Sequence, residues 1–180
     1  MWSIESMCLI YPFQHHFLSL SGFHGSARVR AKWEATVSAR LTKARVDQIW
    51  PLLKDFHQWF PTLATCYGVR GANGEPGCIR YCSGSSIPSK GDHKAVSWSK
   101  ERLVAVDDAD HSLSYEIVES HIGFKSYVST VRVVPGGDVE GQYGCLIEWS
   151  ITVDPVEGWG LDDLVKKYEL CLQSMEDAVL

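Results

Sequence analysis

From residue 32 onward, apolar and polar positions follow readable periods. In KWEATVSARL, Trp33, Ala35, Val37, Ala39 and Leu41 fall on one face, with Lys32, Glu34, Thr36, Ser38 and Arg40 on the other. This period of two is that of a half-buried strand. The period then changes. Val46, Ile49, Trp50 and Leu53 recur at helical spacing through KARVDQIWPLLKDF, and Thr42 just ahead offers a helix cap. Pro51 sits inside that pattern and is expected to bend or shorten the helix, since it lacks an amide donor. A second short helix is expected around HQWFPTLA.

Strand-like segments follow as consecutive hairpins. They are TCYGVRG, CIRYCSG, AVSWSKERLVAVD, LSYEIVES, FKSYVSTVRVV and YGCLIEWSITV, with turn signals in ANGEPG, DADH and PGGDVEGQ. In the last strand Cys145, Ile147, Trp149, Ile151 and Val153 oppose Glu148, Ser150 and Thr152, so one sheet face is wet. The chain closes on an amphipathic helix whose stripe is Leu161, Leu164, Val165, Tyr168, Leu172, Met175 and Val179, with Asp162 and Asp163 at its positive end. The order predicts an α+β fold: a curved antiparallel sheet of seven strands around a long C-terminal helix, with two short helices after the first strand.

Length and composition agree with one such domain. The chain has 180 residues, 45% hydrophobic and 22% charged, enough for one sizeable core but cramped for two. A net charge of −5 and the absence of any basic run argue against a nucleic-acid or anionic-membrane surface. The apolar run CLIYPFQHHFLSL is too short and interrupted to span a bilayer. Residues 1–31 are expected to be a poorly ordered extension ahead of a domain over 32–180. The alternative is a plastid or mitochondrial transit peptide, for which several Ser and Arg28 and Arg30 speak. Without that targeting, the expected location is the cytoplasm. Six scattered cysteines without a CxxC pair, and seven histidines without ligand spacing, predict a reducing compartment and no metal.

The polar residues that face inward decide the chemistry. In AVSWSKERLVAVD, Lys100 and Arg102 lie on one face and Glu101 on the other, so Glu101 leans inward. In FKSYVSTVRVV, Tyr127 shares a face with Ser129, Val131 and Val133, opposite Arg132, and it too is expected inside. Alternation leaves Arg80 open, because Cys78 and Cys82 accompany it while Ile79 and Tyr81 form an equally apolar opposite face. A buried Glu101 calls for a cation, however, and Arg80 on the neighbouring strand is the nearest. Such a pair is commonly a surface contact of small energetic value. An arginine to hold an oxygen anion, a carboxylate and a phenol would together suffice for proton transfer on a small bound molecule.

The segments KWEATVSARL, WPLLKDF, PGCIRY, KERLVAVDD, LSYEIVES and EWSITV resemble the plant lachrymatory-factor synthase group. That group lies within the Bet v 1-like, START-related superfamily (SRPBCC, polyketide cyclase/dehydrase-like), whose fold is a helix-grip. The resemblance covers residues 32–180 and implies a catalytic set of Arg80, Glu101 and Tyr127, with Tyr115 and Trp149 near the substrate. It implies rearrangement of an alkenyl sulfenic acid to a thial S-oxide by a cofactor-independent isomerase. Arg80 would hold the sulfenic oxygen while Glu101 and Tyr127 move protons. The loop SGSSIPSKGDHKAV departs from the synthase pattern in composition, and a loop at the cavity mouth would govern which ligand enters.

Two rival readings share the fold. Abscisic-acid receptors resemble the chain at SGSSIPS, ERL and HIGFKSY. Their SGLPA gate and HRL latch are not matched, though, and FPTLATC lacks their ligand-anchoring lysine, so a phosphatase partner is not expected. The other reading is a non-catalytic carrier of apolar metabolites, in which Arg80 and Glu101 merely polarise the cavity and Tyr127 needs no role. Under every reading the expected partner is a small apolar ligand with a polar head.

Overall fold

The computed structural model describes residues 31–58, 64–84, 98–136 and 144–179, with side chains to residue 175 in the last helix. Residues 1–30, 85–97 and 137–143 lie outside the described residues, as do residues 59–63 of HQWFPTLA, where the second short helix is expected.

Strand β1 (Trp33–Leu41) is followed by helix α1 (Val46–Lys54) and a single 3-10 turn (Phe56–Gln58). Then come β2 (Thr65–Arg70), β3 (Ile79–Ser83), β4 (Trp98–Asp107), β5 (Ser112–Ser120), β6 (Val128–Pro135), β7 (Cys145–Val153) and helix α2 (Leu161–Val179). The seven strands form one sheet in the order β1-β7-β6-β5-β4-β3-β2. Every neighbouring pair is antiparallel. This is the helix-grip arrangement that the chain pattern predicts.

The expected faces are found. Val37 and Leu41 of β1 are buried, as are Cys145, Ile147, Trp149, Ile151 and Val153 of β7. On α2, Leu164, Tyr168, Leu172 and Met175 enter the same core, each such side chain contributing roughly 1.5–3 kcal/mol by leaving water. Thr42 does not cap α1. It is taken up in the turn that ends β1, Ala44 is buried, and the helix starts at Val46. Its first turn is closed instead by the Arg45 amide, which donates to Gln48 Oε1 at 2.9 Å. Pro51 lies inside α1, which stops after nine residues.

Turn chemistry positions the hairpins. Asp107 Oδ1 accepts from the amides of Ala109 and Asp110 at 2.9 and 3.0 Å, and His111 takes φ 46° to lead into β5. Ser126 adopts φ 51° immediately before Tyr127. The left-handed conformation is disfavoured for a non-glycine residue, and here it delivers the chain into β6 with Tyr127 on the inner side. Among the described residues, no helix is long and apolar enough to cross a membrane.

Candidate functional site

The site begins where α1 ends. The 3-10 turn is tied to the β2–β3 hairpin because the His57 amide donates to Asn73 Oδ1 at 2.9 Å, and Asn73 Nδ2 donates to Asp55 Oδ1 at 2.6 Å. Gly68 lets the His57 ring lie against β2, for a Cβ there would stand 2.4 Å from ring atoms. This close approach brings the Phe56 carbonyl over the inner face of β3, where Arg80 Nη1 donates to it at 3.0 Å. The guanidinium carbon also lies 3.9 Å from the centre of the Phe56 ring and 5.4 Å from that of Tyr115, within reach of the ring quadrupoles.

Arg80 and Glu101 are direct partners in the β3–β4 register. Arg80 is 1% exposed and Glu101 9%, so both charges are inside. Nε and Nη2 of Arg80 donate to Glu101 Oε2 at 2.9 and 2.5 Å, and Ser99 Oγ donates to Oε1 at 2.7 Å. Burial alone would ease the guanidinium toward neutrality, yet the adjacent carboxylate outweighs it and holds Arg80 above its ordinary value. Arg80 is therefore a permanent cation. A carboxylate offers about four lone-pair positions, and the described residues engage three of them, leaving one on the Oε1 side among these contacts.

Tyr127 is buried on the same face, ahead of Ser129, Val131 and Val133. Its hydroxyl hydrogen-bonds that of Tyr168 from α2. Burial pushes the phenol up to about 12, with hydrogen bonding to Tyr168, Tyr115 and Ser129 pulling the other way and the Glu101 charge adding to the rise. Burial likewise raises Tyr115 and Tyr168 well above the ordinary phenol range. All three are neutral donors near pH 7. Tyr115 joins the parts, lying 6.1 Å from Phe56 and 6.2 Å from Tyr127 between ring centres.

Trp149 is buried in β7. Its Nε1 donates to Ser129 Oγ at 2.5 Å, Ser129 donates onward to the Ser150 carbonyl at 3.0 Å, and the indole meets Tyr168 edge-on with ring centres 4.7 Å apart. The structure thus brings Arg80, Glu101 and Tyr115 into one cluster and joins Tyr127 to it through Tyr115. Trp149 meets Tyr168, whose hydroxyl bonds that of Tyr127.

Several residues of the cluster carry no mark of a site in the sequence. Phe56 and Ser99 act through a carbonyl and a hydroxyl, which no apolar pattern marks. Tyr168 belongs to the α2 stripe, where a phenol reads as core. Lys167, beside it, is half-buried, and burial lowers its ammonium while the Glu101 charge opposes that shift. Among the described residues, no group of three His, Cys, Asp or Glu could hold a metal ion.

Residues 32–172 match the family described as polyketide cyclase / dehydrase and lipid transport. Solved structures share the fold. Major latex-like protein 151 of Panax ginseng superposes with a TM-score of 0.62 at 18% identity, covering 82% of this chain and 97% of that one. An uncharacterized protein from Bacillus thuringiensis gives 0.62 at 20% identity, covering 81% and 98%. A protein from Nitrosospira multiformis gives 0.62 at 18% identity, covering 80% and 94%. These identities speak to fold alone, whereas the family match spans β1 through most of α2; the chain belongs to the polyketide cyclase / dehydrase and lipid transport family, with a Bet v 1-like fold.

Proposed function

We propose that the chain binds a small apolar molecule with one polar head between its sheet and α2, and moves a proton on that molecule without an external cofactor. The observation that carries this is the buried Arg80–Glu101 pair on the inner sheet face. Burying two charges costs several kcal/mol per ion before their attraction is counted, and a pair kept only for stability could be replaced by apolar side chains.

The finer reading is that of the lachrymatory-factor synthase resemblance. Arg80 holds the sulfenic oxygen of an alkenyl sulfenic acid. Glu101 accepts the O–H proton through its remaining lone pair, and Tyr127, a neutral phenol pushed up to about 12, protonates the alkene carbon that does not bear sulfur. The C=C bond becomes C–C as C–S becomes C=S, giving the thial S-oxide. The proton on Glu101 returns to the tyrosinate, with Tyr115 lying near both the Arg80 guanidinium and the Tyr127 ring. No atom is gained or lost. Tyr115 lines the polar end, and Trp149 holds the apolar end through Tyr168. The test is to supply alkenyl cysteine sulfoxide with alliinase and detect thial S-oxide by gas chromatography. Product above the alliinase-only control supports the synthase reading, and its absence overturns that reading.

A second reading, a carrier, draws on the engagement of both Glu101 oxygens at rest. Its mark is an apolar molecule that co-purifies with the protein and is retained equally by the native chain and by Glu101→Gln.

A further inference from the structure

Cys66 on β2 and Cys82 on β3 are direct register partners, and their sulfur atoms lie 3.2 Å apart. Direct partners on antiparallel strands have Cα atoms about 4.5–5.5 Å apart, inside the roughly 4.4–6.8 Å that a disulfide spans. Bonding requires the sulfurs to close to about 2 Å, which side-chain rotation supplies without moving a strand. The two thiols differ in access. Cys82 is buried, whereas Cys66 is half-buried on a strand at the edge of the sheet.

We propose that Cys66 and Cys82 form a redox-active dithiol, a modification site for low-molecular-weight disulfides of the glutathione type, set beside the Arg80–Glu101 centre. The Cys66 thiolate attacks one sulfur of the oxidant RSSR, forming a Cys66–S–S–R bond and releasing RS⁻, which takes up a proton. Cys82 then loses its proton and attacks the Cys66 sulfur, expelling the second RS⁻. Two protein thiols and one RSSR become one protein disulfide and two RSH. The hydrogen bond to Cys66, with burial, holds the Cys82 thiol above its ordinary value. Cys82 thus stays protonated while Cys66 reacts, and the first step removes that hydrogen bond.

The link to the site is geometric. Cys82 lies two residues from Arg80 on the same buried face, and its partner across β4 is Ser99, whose hydroxyl donates to Glu101. Closing the disulfide turns the Cys82 side chain next to that serine and fastens edge strand β2 to β3.

The test uses the full chain incubated with oxidised glutathione, then alkylated and cut with trypsin. Cleavage after Lys54, Arg70, Arg80 and Lys90 puts Cys66, Cys78 and Cys82 on three different peptides, 55–70, 71–80 and 81–90. The expected result is that 55–70 and 81–90 are joined with loss of two hydrogens, while Cys78 is alkylated, and that dithiothreitol separates them. In Cys82→Ser, Cys66 should halt as the glutathione adduct. Full alkylation of both thiols in the native chain, a lasting glutathione adduct on native Cys66, or a link from Cys66 to another cysteine would each overturn the proposal.

Discussion

Arg80 and Glu101 face each other across the β3–β4 register, with one carboxylate oxygen accepting from both Nε and Nη2 while the other accepts from Ser99. The Phe56 carbonyl also accepts from the guanidinium, through Nη1. Together these contacts satisfy two charges that water cannot reach freely, which is the condition for keeping both ionised inside a protein.

Removing one partner should therefore cost far more than removing both. Arg80→Met strands a buried carboxylate and is expected to lower stability by about 3–5 kcal/mol. The double variant Arg80→Met/Glu101→Met should recover most of that loss. Urea denaturation of the native chain, Arg80→Met, Glu101→Met and the double variant measures this directly, and a double-variant loss equal to the sum of the two single losses would show the pair to be uncoupled.

Tyr127→Phe keeps the ring that packs against Phe124 and Tyr115 and removes the hydroxyl that joins Tyr168. The fold should survive. If the phenol supplies the carbon-bound proton, turnover should fall by about 10²–10⁴-fold, with affinity for the apolar ligand little changed. A variant that turns over as fast as the native chain removes Tyr127 from the mechanism.

The Trp149–Ser129 hydrogen bond joins β7 to β6 inside the core. Trp149→Phe leaves the serine oxygen short of a donor and should cost about 1 kcal/mol from the bond alone, with a further loss from the smaller ring. Thermal unfolding should shift down by several degrees.

The sign of the alkaline response follows from Tyr127. Its phenol titrates near 12 in the fold against an ordinary value of 10.0, so the unfolded chain releases this proton first. The stability it contributes is complete below pH 10 and is lost as pH rises from 10 toward 12. Tyr115 and Tyr168 shift in the same direction. Tyrosinate absorbance during a pH titration should therefore show some phenols ionising only as the fold gives way, whereas titration of all seven tyrosines near pH 10 would contradict the buried cluster.

Much of this was legible in the residues. Clean alternation in β1 and β7 reported the sheet, and the α2 stripe reported the gripped helix, because each element has one face in the core and one in water. Glu101 was harder to place. The pattern of β4 breaks at a register shift between Leu103 and Ala105, after which Ala105 is exposed, so no single face runs the length of the strand. Arg80 could not be placed by period at all, and the reason is visible on the outer face of β3. Tyr81 stacks there between Tyr67 and Trp98, with ring centres 5.2 and 5.9 Å away. An outer face bearing an aromatic ladder looks as apolar as an inner one, so the inward placement rested on the demand for a partner to Glu101 and on the family resemblance. The carbonyl of Phe56 and the hydroxyl of Ser99 left no trace in the pattern, since backbone and small polar groups enter a site through the path of the chain.

The most direct test compares the native chain with Glu101→Gln in the alliinase-coupled assay, after circular dichroism has shown the two folds to match. Glutamine keeps the shape and can accept from Ser99 or Arg80, but it cannot take a proton from the bound sulfenic acid. The account predicts thial S-oxide from the native protein and a loss of at least about 10²-fold in the variant. Equal product from both would contradict a proton-transfer role for Glu101.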